Sequence, residues 1–247
     1  MRRIGHKGAD AIAPGNTIPS YEAAVDLGVD LIELDVVRPE SDFRDGADWR
    51  RAMPGPAPGE PLLNAHDWGD ARRRDPMTME AALDAFTRPP LDSVQIDLDL
   101  KLAGREDEVV AALRERGLVE RAMTSTMEIG SVELLREIAP ELRAGWTYPR
   151  VSRDWMGTWW GRVVAGGALP LIRRRLPRIA GETLPRLGVW AMWVFHPLIS
   201  RRLAATCDDA GIELIAWTVD DLARMKSLAR LGVDGICTND PRLFSEL

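Results

Sequence analysis

Two acidic pairs carry the first chemical signal in this 247-residue chain. In Glu33-Leu34-Asp35 and in Asp97-Leu98-Asp99-Leu100-Lys101 the charges stand two residues apart inside apolar runs. The alternation of a strand turns the carboxylates of each pair onto one face. Buried like charges repel strongly unless something neutralises them, and an oxygen-ligated divalent cation such as Mg²⁺ or Ca²⁺ does so directly. The chain has 3 histidines. Two of them, His6 and His66, close the short apolar runs Arg3-Ile4-Gly5 and Leu62-Leu63-Asn64-Ala65. A lone histidine is usually a satisfied core or surface residue. Two at strand exits beside acidic pairs instead suit proton transfer.

These residues need a frame that gathers strand ends. Apolar runs predict strands at about 2–6, 31–36, 94–100, 122–126, 143–147, 190–194, 213–218 and 235–238. Helical patterns fall between them at about 17–28, 79–87, 106–116, 131–138, 198–210, 220–231 and 240–246. Asn16-Thr17, Thr78 and Asp220-Asp221 are candidate helix starts, and Gly28, Gly117, Gly211 and Gly232 are candidate stops. The run 61–66 reads as an extra strand delivering His66 to the same rim. Eight strands alternating with helices predict a single-domain (β/α)8 TIM barrel over 1–247, a usual length for that fold. Its strand ends would bring His6, Glu33, Asp35, Asp99, Lys101 and Trp217 to one rim. The competing doubly wound sheet lacks a Gly-x-Gly-x-x-Gly after the first strand.

Two stretches fall outside the alternation. Residues 37–60, with Met53-Pro54-Gly55-Pro56-Ala57-Pro58-Gly59, read as a lengthened surface loop. Residues 150–186 set Trp155, Trp159 and Trp160 beside Val163-Val164-Ala165 and Leu169-Pro170-Leu171-Ile172, then Arg173-Arg174-Arg175 and Arg178. Eight arginines face two acids there, a basic segment in a chain of net charge -6. It suits a peripheral membrane contact, a lid packed on the barrel, or an oligomer interface, and Gly166-Gly167 with Pro170 are expected to interrupt any long helix. The tryptophans are expected to be partly exposed over the catalytic rim.

The acidic balance argues against a general nucleic-acid binder. Cys207 and Cys237 have no metal-ligand spacing and read as buried thiols in a reducing compartment. No apolar run is long enough to span a bilayer. The histidine motif starts so near Met1 that a cleaved leader would remove it, which predicts a cytoplasmic protein.

Gly5-His6-Lys7-Gly8, Pro14-Gly15-Asn16-Thr17, Glu33-Leu34-Asp35, His66-Asp67 and Asp99-Leu100-Lys101, in that order, resemble the glycerophosphodiester phosphodiesterase family. That family's pattern runs His-Arg-Gly, Pro-Glu-Asn-Thr, Glu-x-Asp, His-Asp, Glu-x-Lys. Ala216-Trp217-Thr218-Val219-Asp220-Asp221 and Leu231-Gly232-Val233-Asp234-Gly235-Ile236-Cys237-Thr238-Asn239-Asp240-Pro241 are similar to its closing strands. The resemblance implies hydrolysis of glycerophosphodiesters to glycerol 3-phosphate and an alcohol, through attack by a glycerol hydroxyl and a cyclic intermediate. It implies His6 and His66 as the acid–base pair, with their assignment open. It also implies Glu33, Asp35 and Asp99 around a divalent cation, and Lys7, Lys101 and Trp217 on the substrate. Asp97 is either a further ligand or a deeper barrel charge, Asp67 orients its loop, and His196 before Pro197 reads as structural.

The departures bear on substrate. Lys7 replaces Arg and loses its bidentate fork, Gly15 replaces Glu, and Asp99 is a shorter carboxylate. About ten residues follow His66 where relatives carry an inserted subdomain. Asp-x-Lys also occurs in the related spider-venom phospholipases D. These features, with the Trp/Arg segment, favour as the alternative a lysophospholipase D type enzyme acting on membrane lysolipids. A catalytically dead barrel binding phosphorylated ligands is a third reading, opposed by the retained His, Glu and Asp set.

Overall fold

Strands form where β-branched and aliphatic residues alternate with small or functional ones, because a barrel strand is covered by helices outside and packed side chains inside. The computed structural model describes residues 1–43, 60–150 and 159–247, with side chains given throughout except at 41, 43 and 159–166. Eight parallel strands close in sequence order: β1 (Arg2–His6), β2 (Leu31–Val36), β3 (Gln95–Leu100), β4 (Ala122–Thr126), β5 (Arg143–Tyr148), β6 (Ala191–Phe195), β7 (Glu213–Trp217) and β8 (Gly235–Thr238). The helices are α1 (Ile18–Asp26), α2 (Trp68–Arg74), α3 (Met79–Ala85), α4 (Glu106–Glu115), α5 (Ile129–Ile138), α6 (Trp159–Leu187), α7 (Arg201–Asp209) and α8 (Leu222–Leu231). This is the expected (β/α)8 barrel, with strand bounds within a residue or so of the sequence reading.

The axis is filled by Ile4, Leu31, Met123, Ala191, Trp193, Ile215 and Cys237, all buried. At its amino-terminal end Arg2 binds Glu213 (Nε to Oε2, 2.9 Å) and Gln95 (Nη1 to Oε1, 2.9 Å). The outer strand faces pack under the helices in two apolar clusters, one around Tyr21, Leu83, Phe86 and Leu113, the other around Leu176, Leu203 and Leu228. Helix termini follow side-chain chemistry: Thr17, Thr78 and Asp221 cap α1, α3 and α8 through their oxygens. Gly232 ends α8 at φ 84°, a backbone state open to glycine at little cost.

Four elements differ from the sequence reading, the first being α2, which forms at Trp68–Arg74 where no helix is expected. Residues 61–66 form no strand, because the eight-strand barrel is already closed. Leu63 instead makes isolated antiparallel bridges to Val37 and Thr78, a clip that fixes the chain leading to His66. Pro241–Glu246 is a 3-10 helix. The segment after β5 is helical without interruption from Trp159 to Leu187, despite Pro170, Pro177 and Pro185. A proline removes one hydrogen bond and kinks a helix. Here Leu176, Ala180, Leu184 and Leu187 recur at three- or four-residue spacing and are buried against the barrel, so tertiary packing holds the helix together. The Trp/Arg-rich stretch thus supplies the β5–β6 crossover. Trp155 and most of the 37–60 loop lie outside the described residues, as do the side chains of Trp159 and Trp160.

Candidate active site

The carboxyl end of the barrel gathers the acidic pairs because β2 and β3 run in register, with Glu33 beside Asp97 and Asp35 beside Asp99. One ligating oxygen from each of Glu33, Asp35 and Asp99 lies within 4.8 Å of the others. Asp97 faces one layer deeper, where Ser125 donates to it (Oγ to Oδ2, 2.6 Å). Lys101 reaches back over the cluster, its Nζ 2.5 Å from both Asp35 Oδ1 and Asp99 Oδ2. Asp99 Oδ1 is buried without a hydrogen-bonding partner among the described residues.

Electrostatics follow from this crowding. Burial and the neighbouring Asp35 push Glu33 well above the usual carboxylate range. Burial acts most strongly to raise Asp35, but Lys101, His66 and His6 together outweigh it and hold Asp35 below that range. Burial raises Asp99 against the pull of Lys101. Burial disfavours the Lys101 ammonium, yet Asp35, Asp99 and Glu33 together hold its proton far more tightly than usual. Burial likewise raises Asp97.

A buried amide network fixes the cluster. Asn16, at φ 58°, donates Nδ2 to Asp35 Oδ2 (2.7 Å) and accepts from the Asp35 amide (3.1 Å). Asn64 donates to Asn16 Oδ1 (3.1 Å) and to the Asp35 carbonyl (2.8 Å), and accepts from the Tyr21 hydroxyl (2.6 Å). Thr17 alone caps α1, which frees Asn16 for this task. Asn64, Asn239 and Tyr21 were not singled out as site residues from the sequence, although a lone amide in Leu62-Leu63-Asn64-Ala65 is the kind of residue an apolar run does not need.

His6, at the end of β1, sets Nδ1 2.7 Å from Asn239 Oδ1. The Asn239 amide nitrogen donates to Asp220 Oδ2 (2.7 Å), which makes Oδ1 the acceptor face. His6 Nδ1 therefore carries the hydrogen, and Nε2, 4.0 Å from Glu33 Oε2, holds a free lone pair. Burial lowers this imidazole to about 4. His66 is exposed, just before α2, and its charge acts on Asp35 and Asp99. Asp67 Oδ2 lies 3.1 Å from its Nδ1, and the Asp67 side chain also caps α2. A cleft of about 230 Å³ runs between the Lys7–Gly15 turn and the His66–Arg74 segment. Within it the Lys7 ammonium lies 2.6 Å from Asp10, while its backbone N–H donates to Glu33 Oε2 (2.9 Å). Trp217 ends β7 against Phe195, ring centroids 5.6 Å apart. His196 sits apart from the cluster and accepts from Arg224 Nε at 3.1 Å.

A barrel with this mouth is matched by the model of the glycerophosphoryl diester phosphodiesterase family over residues 6–39 and 83–243. The chain belongs to that family. Membership makes it a phosphoric diester hydrolase. Among curated relatives, a glycerophosphodiester phosphodiesterase of Caldanaerobacter subterraneus subsp. tengcongensis is 24% identical over 263 residues, spanning 99% of this chain and 96% of the relative. A crystal structure of a putative family enzyme from Agrobacterium tumefaciens shares the fold at TM-score 0.72 and 16% identity, covering 100% of this chain and 96% of that one. An Oleispira antarctica phosphodiesterase in complex with the product sn-glycerol-3-phosphate aligns at TM-score 0.63 and 18% identity, over 100% and 96% of the two chains. Residues 40–82, with Asn64, His66 and α2, fall between the two stretches matched by the family model.

The three carboxylates fit the divalent cation expected of them. They are hard oxygen donors, mutually close, and buried with an unshared oxygen on Asp99. No helix of the described residues is long and apolar enough to cross a membrane.

Proposed function

We propose that the chain hydrolyses glycerophosphodiesters to glycerol 3-phosphate and an alcohol, with His6 as general base and His66 as general acid. The observation that carries this reading is the Glu33–Asp35–Asp99 cluster beside a histidine whose tautomer is set by Asn239. Glu33, Asp35 and Asp99 would hold Mg²⁺ or Ca²⁺, and the bound cation would offset charge developing on a phosphoryl oxygen. Lys101 adds fixed positive charge at the same oxygen, and Lys7 lines the entrance. His6 Nε2 takes the proton of a glyceryl hydroxyl as its oxygen bonds to phosphorus. The bond from phosphorus to the headgroup oxygen breaks, and His66, at the cleft, hands a proton to that oxygen. Water then opens the cyclic phosphate with the two histidines in exchanged roles. Trp217 offers its ring to the carbon skeleton.

A second reading keeps the chemistry and moves it to membrane lysolipids. It is favoured by the groove of about 520 Å³ beside the catalytic rim, between α6 and the start of α7, lined in part by Leu169, Arg173, Arg174 and Arg202. Leu171 is exposed there, and no acidic partner meets these arginines among the described residues. Such a surface would draw a cytoplasmic protein onto anionic phospholipid. One assay separates the readings: turnover of glycerophosphocholine in solution against lysophosphatidylcholine in anionic vesicles, each with EDTA, Mg²⁺ or Ca²⁺. Glycerophosphocholine turnover abolished by EDTA and restored by either cation is the expected result. Turnover confined to the vesicle-borne lysolipid favours the second reading, and EDTA-insensitive turnover overturns the cation assignment.

A further inference from the structure

Register places one more polar side chain at the height of the catalytic cluster. In a barrel of this kind the residue at a given height moves about one position toward the C terminus with each strand crossed. Asp99 pairs with Ser125 and Ser125 with Gly145, so two strands on, the level reaches Thr147. Thr147 pairs with Trp193 and Trp193 with Ile215, which puts Trp217 at the same level. Continuing through β8, where Cys237 pairs with Ile4, gives His6. From His6 through Glu33 and Asp97 the circuit returns to Asp99. The layer is therefore His6, Asp99, Thr147 and Trp217, one inward residue from each alternate strand, with Thr147 across the axis from His6.

Thr147 is 5% exposed, and its Oγ1 has no hydrogen-bonding partner among the described residues. Its neighbours Ala144 and Trp146 face the outer core, which fixes Thr147 inward. Below it Gly145 leaves room for the Trp193 indole: a Cβ there would stand 3.0 Å from Trp193 Nε1. An unpaired buried hydroxyl is costly and uncommon, and this one points inward in the layer that holds His6 and Asp99. The inward residues of β5 to β7 above Glu213 carry no charge, so this wall suits neutral hydroxyls and not a phosphate.

We propose that Thr147 is a specificity-determining residue that hydrogen-bonds a hydroxyl of the glyceryl moiety. The inference rests on the reaction proposed above. The cation site and Lys101 draw the phosphate toward β2 and β3, and the attacking hydroxyl must meet His6 Nε2. The remaining hydroxyl of the glyceryl group then extends across the axis toward Thr147, while the headgroup lies toward His66 and the cleft. Sites that hydrogen-bond a substrate hydroxyl discriminate strongly against analogues lacking it.

The test compares wild type, Thr147→Val and Thr147→Ser on glycerophosphocholine and on the phosphocholine diester of propane-1,2-diol, which keeps the attacking hydroxyl and lacks the remaining one. Thr147→Val keeps the side-chain shape and removes the hydroxyl. It should raise KM for glycerophosphocholine about 10-fold, with a smaller change in kcat, and leave kcat/KM on the deoxy diester close to that of wild type. Thr147→Ser should restore the KM. Equal losses on both substrates, or no change on glycerophosphocholine, would overturn the assignment. A wild-type protein that turns over neither diester overturns the underlying functional reading instead.

Discussion

The two sides of the barrel mouth are built on opposite principles. On β1 to β3, four carboxylates and Lys101 are buried together, and most of the surrounding polar groups serve to hold them: Asn16, Asn64, the Lys7 amide and Ser125. On β5 to β7 the inward residues at the same heights are uncharged, and the polar atoms they offer, Thr147 Oγ1 and the Trp193 and Trp217 indole nitrogens, are unpaired. One side is a preorganised charged device, in which buried oxygens of Asp97 and Asp99 still lack a hydrogen-bonding donor among the described residues. The other carries neutral donors that no described group accepts. Charge is concentrated where phosphate chemistry needs it, and recognition of neutral groups is left to the wall opposite.

The largest test of this contrast lies in the histidines. His6→Ala and His66→Ala should each lower turnover on the order of 10² to 10⁴-fold, as removal of a positioned acid or base does, while thermal unfolding changes little. Steady-state kinetics on glycerophosphocholine checks this, and near-wild-type turnover for either variant removes that residue from the mechanism. The smaller loss for His66, if one appears, would show that solvent can replace an exposed acid more readily than a buried base.

A second test compares polar deletions on the two sides by urea unfolding. Asn64→Leu should cost about 1–3 kcal/mol, because it strands the Tyr21 hydroxyl and the Asp35 carbonyl in the interior. Thr147→Val should leave stability unchanged or slightly raised, since the deleted hydroxyl has no partner to strand. A reversal of that order would break the comparison.

The barrel itself was legible in the sequence because its strands are short runs whose alternation survives in every case, and because Thr78, Asp221 and Gly232 punctuate helices by local chemistry alone. Glu33, Asp35 and Asp99 could be set on one rim for the same reason. What the sequence hid were contacts between distant segments. Asn239 orients His6 across 233 positions and Asn64 reaches Asn16 across 48, and no local pattern pairs such residues. α6 was hidden for another reason: its prolines and glycines argue locally against a helix that packing on the barrel supports. Residues 61–66 look like a strand to any local rule, and only closure of the barrel denies them a place in it.

The smallest effect concerns pH. Burial, with Arg224 close by, lowers His196 from 6.5 to about 4. Below pH 6.5 the unfolded chain takes up a proton there that the folded chain refuses, so stability falls as pH drops from 6.5 and the penalty is complete below 4. Given its partial exposure, His196 accounts for on the order of 1 kcal/mol of that fall. His196→Asn, which keeps an acceptor for Arg224, should flatten the decline between pH 6.5 and 4.5 in urea melts by roughly that amount. His6, lowered in the same direction on the charged side, leaves a residual slope in the variant.

The amino-terminal plug has a consequence for traffic. Arg2 is locked to Glu213 and Gln95, and Arg2 and Arg143 both lie over the Trp190 ring, 4.8 and 5.1 Å from its centre. With that end of the axis shut, substrate, water and both products share the passage at the histidine end. The alcohol nearest the entrance must then depart before glycerol 3-phosphate can, so the phosphorylated product is the last to leave and the one expected to inhibit competitively.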